Sequence, residues 1–194
     1  MRIFGVTNLR VRLRRSAGSL LVVALLLQSP IGGAVDCAAI YAQHERDDLT
    51  LSYETFDQSE GKGFRVLAQE GCDKEAADLI EAYIRTTRAS QSSLRWHIAQ
   101  LRASAGDSAA AIRYARSVLV EGEDYARNPL RWNDYVLATI AFLEHDRAAL
   151  ILHRDRVARA GNAYFGNTLN LKLLDSLIEH FDRDYKYATS HIQG

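Results

Sequence analysis

The chain has 194 residues, 47% of them hydrophobic, with 24 basic and 24 acidic residues that cancel at neutral pH. All 24 acidic residues lie after Ala34 and 5 of the basic ones before it, so the part after Ala34 holds 19 basic against 24 acidic groups. A mildly acidic chain lacks the concentrated positive charge that binding to nucleic acid or to an anionic membrane surface requires, and a single proline after Ala34, Pro129, favours helices.

The first 34 residues have the layout of a secretory signal peptide. Arg2, Arg10, Arg12, Arg14 and Arg15 precede an uncharged run from Leu20 to Leu27, followed by Pro30 and the small residues Gly32, Gly33 and Ala34. That run is shorter than the ~20 residues a membrane span needs, so the expectation is cleavage after Ala34 and a periplasmic or secreted product without stable membrane insertion. Arg14-Arg15 allows a twin-arginine variant, although Ser16, Ala17 and Gly18 lack the bulky apolar residue such signals carry. Cys37 invites a lipoprotein reading, which Asp36 immediately before it disfavours. Cys37 and Cys72 are the only cysteines, and in an oxidising compartment they read as one disulfide; the alternative is two small buried thiols without mutual contact.

Residues 35–57 form an N-terminal extension. Leu49, Leu51 and Tyr53 alternate as a strand would, but a lone strand has no partner, so Ala38 to Arg46 and Leu49 to Phe56 are expected as short helices. Gly61-Lys62-Gly63 lacks the second half of a phosphate loop and follows no strand, which makes it a plain turn.

From residue 58 to 194 the pattern is helical. Leu94, Ile98, Leu101 and Ala105 fall at i, i+4, i+7 and i+11, and Trp132, Val136, Ile140 and Leu143 repeat that spacing. Each run ends at a turn with an aspartate able to cap the next helix: Asp73 before Lys74 to Thr87, Asp107 before Ser108 to Val120, Asp146 before Arg147 to Ala160, and Asp184 before a C-terminal helix. These aspartates recur every 34 to 39 residues, a period that fits an all-α fold of stacked antiparallel helical hairpins. The units resemble tetratricopeptide repeats: Gly106-Asp107 with Ala111 and Ala115, Asp184-Tyr185 with Ala188, Asp73 with Ala76-Ala77, and Asp146 with Ala148-Ala149-Leu150. His145 stands where that pattern has glycine, and Arg154 where it has a small or aromatic residue. The resemblance implies a short solenoid similar to exported bacterial repeat proteins of unassigned function.

Little catalytic chemistry is legible. The histidines His44, His97, His145, His153, His180 and His191 never share a two-histidine metal spacing with a carboxylate on one face, so neither metal nor cofactor is expected. No serine sits in a Gly-x-Ser-x-Gly elbow, and a disulfide would remove both thiol nucleophiles. The reading is therefore a non-enzymatic module that binds a protein or peptide, with Trp96, Gln100, Trp132, Tyr135 and Thr139 as the candidate groove residues, counted back from the turn aspartates. The competing reading of those aromatics is core. An accessory subunit of an envelope assembly and an enzyme of unrecognised type are the other function classes.

Overall fold

The fold was analysed in a computed structural model that describes residues 34–192; all but the last residue of the predicted signal segment lies outside the described residues. Among the described residues ten α-helices follow one another: α1 (Cys37–Asp48), α2 (Tyr53–Gln58), α3 (Phe64–Gln69), α4 (Asp73–Thr87), α5 (Ser92–Ser104), α6 (Ser108–Arg116), α7 (Trp132–Leu143), α8 (Arg147–Ala160), α9 (Phe165–Glu179) and α10 (Tyr185–Ser190). A short 3₁₀ turn, Gly161–Ala163, leads into α9, and no strand occurs among the described residues. Apart from α1, which packs on α4 and α3, each helix packs chiefly on its neighbours in sequence, giving the all-α, repeat-like stack that the periodicity implies.

Three hairpin turns are built alike. Gly71, Gly106 and His145 all have left-handed φ, at 78°, 82° and 57°. Each gives its N–H to a carbonyl three residues back, on Ala68, Ala103 and Phe142. The next N–H, of Cys72, Asp107 or Asp146, reaches five residues back, to Leu67, Arg102 and Ala141, at 2.8–2.9 Å. This pairing satisfies carbonyls that a helix end leaves open, which is why glycine is favoured at the first position and why His145 is under backbone strain there. Asp107 and Asp146 then cap the following helix by accepting from Ala110 N and Ala149 N, both at 3.0 Å. In the first hairpin the cap position is Cys72, not Asp73; Asp73 is the first residue of α4 and accepts instead from Lys186 Nζ of α10 at 2.6 Å.

The cysteine at that cap position closes the disulfide. Cys37 and Cys72 are bonded, with Cα atoms 5.5 Å apart, tying the start of α1 to the start of α4. For a loop of 35 residues the chain-entropy treatment gives about 4 kcal/mol of stabilisation. It acts where packing is thin, since Asp48 is the one buried residue of α1.

In the extension, Leu49 to Leu51 is a turn and the second helix starts only at Tyr53, where the Ser52 hydroxyl accepts from Thr55 N. Gly63 has φ 57° and ψ −151°, and a Cβ there would collide with the Phe56 carbonyl, so glycine is required by both torsion and space. Its N–H donates to the buried Asp48 carboxylate at 2.7 Å.

Two apolar clusters fill the interior. Phe56, Phe64, Leu67, Leu79, Ile80 and Tyr83 belong to the first, and Val136, Ile140, Leu150, Val157, Leu174 and Leu177 to the second. Helix α5 serves both: Leu94, Ile98 and Leu101 enter the first cluster, while Trp96, Ala99 and Ala103 enter the second.

The helix expected to run to Val120 ends at Arg116. Val118 N and Leu119 N bond only three residues back, which tightens and stops the helix. The next carbonyls are then captured from afar: Trp132 Nε1 donates to Val118 O at 2.8 Å and Asn133 Nδ2 to Val120 O at 2.7 Å. A loop over residues 117–131 results.

Candidate functional site

The residues expected to line a groove do come together, but inside the protein. Trp96 and Tyr135 keep 6% and 5% of their surface exposed, Thr139 is buried, and Trp132 and Gln100 are half-buried. The Trp96 ring meets Trp132 edge-on at 5.4 Å and Tyr135 at 5.3 Å. The Thr139 hydroxyl donates back to Tyr135 O at 3.1 Å, which satisfies it within its own helix. Gln100 lies beside both Tyr135 and Tyr185. Burial holds the Tyr135 hydroxyl neutral, its pKa pushed up to about 12 against the opposing pull of Gln100 and Trp96.

The open groove is therefore corrected to a filled one: Trp96 of α5 packs on Trp132 and Tyr135 of α7, and α10 covers part of the same region. This helix packs on α5 as well as on α9, with Tyr185 and Ala188 buried. Tyr185 stands 6.2 Å from the Phe142 ring, and Ser176 Oγ donates to Ala188 O at 2.6 Å. Lys186 completes the closure on Asp73, 113 residues away in sequence.

Three other polar arrangements were not foreseen. Every buried carboxylate among the described residues faces a histidine: Asp48 with His44 at 2.6 Å, Asp57 with His97 at 3.2 Å, and Asp134 with His153 at 2.8 Å. Only the first pair, at i, i+4, leaves a signal in the sequence; the others join different helices. Asp57 also meets Arg65 at 3.6 Å, and His97 Nδ1 lies 3.4 Å from Gln100 Oε1. A polar thread thus runs from Arg65 through Asp57 and His97 to Gln100. Burial lowers the His97 pKa, and the Arg65 charge adds to this while Asp57 opposes it. The other histidines expected at turns and surfaces stay there: His145 is the left-handed residue of its turn, and His191 is exposed. Among the described residues no three His, Cys, Asp or Glu side chains gather as a metal site would need.

A cavity lies elsewhere, between the start of α5 and the 117–131 loop. It is open to solvent on one side and has a volume of about 490 Å³, and Ser92, Ser93, Asp124, Asn128, Leu130 and Trp132 are among its walls. The loop is strapped at both ends. Asn133 Oδ1 accepts from Val120 N at 2.9 Å, Glu123 Oε1 accepts from Asn133 N at 3.0 Å, and the buried Asn167 holds Arg131 N and Pro129 O at 2.8 and 2.9 Å. The Arg131 guanidinium stacks 3.6 Å over the Tyr125 ring. Of the five groove candidates only Trp132 borders this cavity.

Comparison of the chain with protein-family models, with curated proteins and with solved structures gave no match. Functional inference therefore rests on these residues.

Two measurements check the site geometry. Replacing Trp132 and Tyr135 together by alanine should lower folding stability by about 3 kcal/mol or more, read by chemical denaturation, because both side chains pack in the second cluster. The lowered pKa of His97 means that the unfolded chain takes up this proton first. Its contribution to stability is full above about pH 6.5 and declines as pH falls below that value. The midpoint of chemical denaturation should thus fall less between pH 7.5 and 5 in His97→Gln than in the unsubstituted protein.

Proposed function

We propose that this chain is an exported, non-enzymatic module of the cell envelope that binds a protein or peptide, built from about four degenerate tetratricopeptide-like units over residues 58–194 behind an extension at 35–57. Export is supported by the Arg-rich, apolar first 34 residues and by the Cys37–Cys72 disulfide, which an oxidising compartment sustains. Protein rather than nucleic acid as partner is supported by the acidic balance after Ala34.

The observation that carries the binding reading is the start of α9. Phe165 is 73% exposed and Leu169, one turn later, 50%, with Tyr164 beside them. Large apolar side chains at i and i+4 on a solvent-facing helix surface form the kind of patch that marks a docking face. The face is distinct from the filled groove, so binding through it requires no opening of the core. The same apolar face favours the second reading, an accessory subunit, which differs in forming a permanent rather than an exchanging complex.

Capture from the cell envelope with the purified protein as bait, read by mass spectrometry, tests this. Replacing Phe165 and Leu169 by serine should weaken retention of the specific partner by about 2 kcal/mol or more while leaving the melting temperature within about 2 °C. Undiminished retention by the doubly substituted protein would reject α9 as the docking face.

A further inference from the structure

We propose that the cavity beneath the 117–131 loop is a saccharide site, in which Asp124 and Asn128 present a carboxylate acceptor and an amide donor to neighbouring hydroxyls above an apolar wall of Val120, Leu130 and Trp132. This site is independent of the α9 face.

The first support is the way the two polar groups are fixed. Asp124 O accepts from both Arg127 N at 3.1 Å and Asn128 N at 2.9 Å, so residues 124–128 make a single helical turn. Side chains four apart in such a turn stand side by side, and both Asp124 and Asn128 line the cavity. One oxygen of each is pinned by its own backbone: Asp124 Oδ1 accepts from Ala126 N at 3.1 Å, and Asn128 Oδ1 accepts from Leu130 N at 3.2 Å. That leaves the second Asp124 oxygen as an acceptor and the Asn128 NH₂ as a donor, held in place before any ligand arrives. A vicinal diol, in which each hydroxyl both gives and receives, matches such a pair. Ser92 and Ser93, at the start of α5, add hydroxyls to the lining, with Ser93 Oγ oriented by Tyr53 OH at 2.8 Å.

Charge and polarity narrow the ligand further. The charged lining is Glu123, Asp124 and Arg127, one net negative charge, which does not attract a phosphate or another anion. Both Glu123 oxygens are committed to the loop, one to Asn133 N and the other to Tyr125 OH at 2.7 Å. A wholly apolar ligand would strip water from Ser92, Asp124 and Asn128 without replacing their hydrogen bonds. What fits is an uncharged polyhydroxyl ligand with one C–H face for the apolar wall. The cavity volume of about 490 Å³ lies within the range of small-ligand pockets.

The full chain, as purified from cells, is titrated separately with maltotriose, cellotriose, tri-N-acetylchitotriose and the zwitterionic tripeptide Gly-Leu-Gly, while amide chemical shifts are followed. The expected result is saturable movement of the resonances of Ser92, Ser93 and residues 122–132 with at least one saccharide, at a Kd between about 10 µM and 5 mM. Asp124→Asn keeps the turn cap and removes the charged acceptor, and Asn128→Asp keeps its cap and removes the donor. Each should weaken that saccharide about tenfold with the melting temperature unchanged. No saturable movement with any saccharide at about 20 mM would overturn the proposal. Binding that both substitutions leave unaltered would do the same, as would movement with the tripeptide alone, which would assign the cavity to peptide termini.

Discussion

The structure depends on α5 being buried on two sides at once. Leu94, Ile98 and Leu101 lock it into the cluster around Phe56 and Leu79, and Trp96, Ala99 and Ala103 into the cluster around Val136 and Leu150. A helix shared in this way cannot slide to suit one neighbour without opening a cavity against the other, so the stack has one register. The polar thread through Asp57, His97 and Gln100 follows from the same placement. These residues sit where the two clusters meet α5, and a buried carboxylate or amide there must find partners within the protein.

Closure by α10 is the second consequence. A stack of helical hairpins would ordinarily leave the first helices of successive units facing a trough, but here Tyr185 reaches Gln100 and Lys186 reaches Asp73. The aromatic residues that a repeat pattern assigns to a recognition surface become cohesion for the protein itself. Both proposed recognition sites, the exposed start of α9 and the strapped loop between α6 and α7, lie outside this closure.

Hairpins, their order and most helix bounds are legible in the sequence because they come from local chemistry: apolar residues at i, i+4 and i+7, and a turn that ends one helix while capping the next. The register of the first hairpin is misread by one residue because the aspartate served as marker, whereas the left-handed residue sets the phase. Gly71 places Cys72 at the cap and frees Asp73 for Lys186. The loop at 117–131 is hidden because Val118, Leu119 and Val120 continue an apolar run. What stops the helix is the three-residue bonding of Val118 N and Leu119 N, and the capture of Val118 O and Val120 O by Trp132 and Asn133, more than ten residues ahead, then holds the loop. The fate of Trp96 and Tyr135 is equally nonlocal. Their spacing is that of a core stripe and of a groove stripe alike, and only the packing of α5 on α7, with α10 returning over α5, distinguishes the two.

The central claim is that α10 is an integral part of the core and fills the groove that its own stack creates. Native-state hydrogen exchange of the α10 amides measures this most directly. The account predicts that Ala188 N, bonded to Asp184 O at 3.0 Å in a helix whose Tyr185 and Ala188 side chains are buried, exchanges as slowly as the amides of α5 to within about tenfold. Exchange of α10 at the rate of the exposed 117–131 loop, with α5 still protected, would contradict it and return Trp96, Gln100 and Tyr135 to an accessible groove.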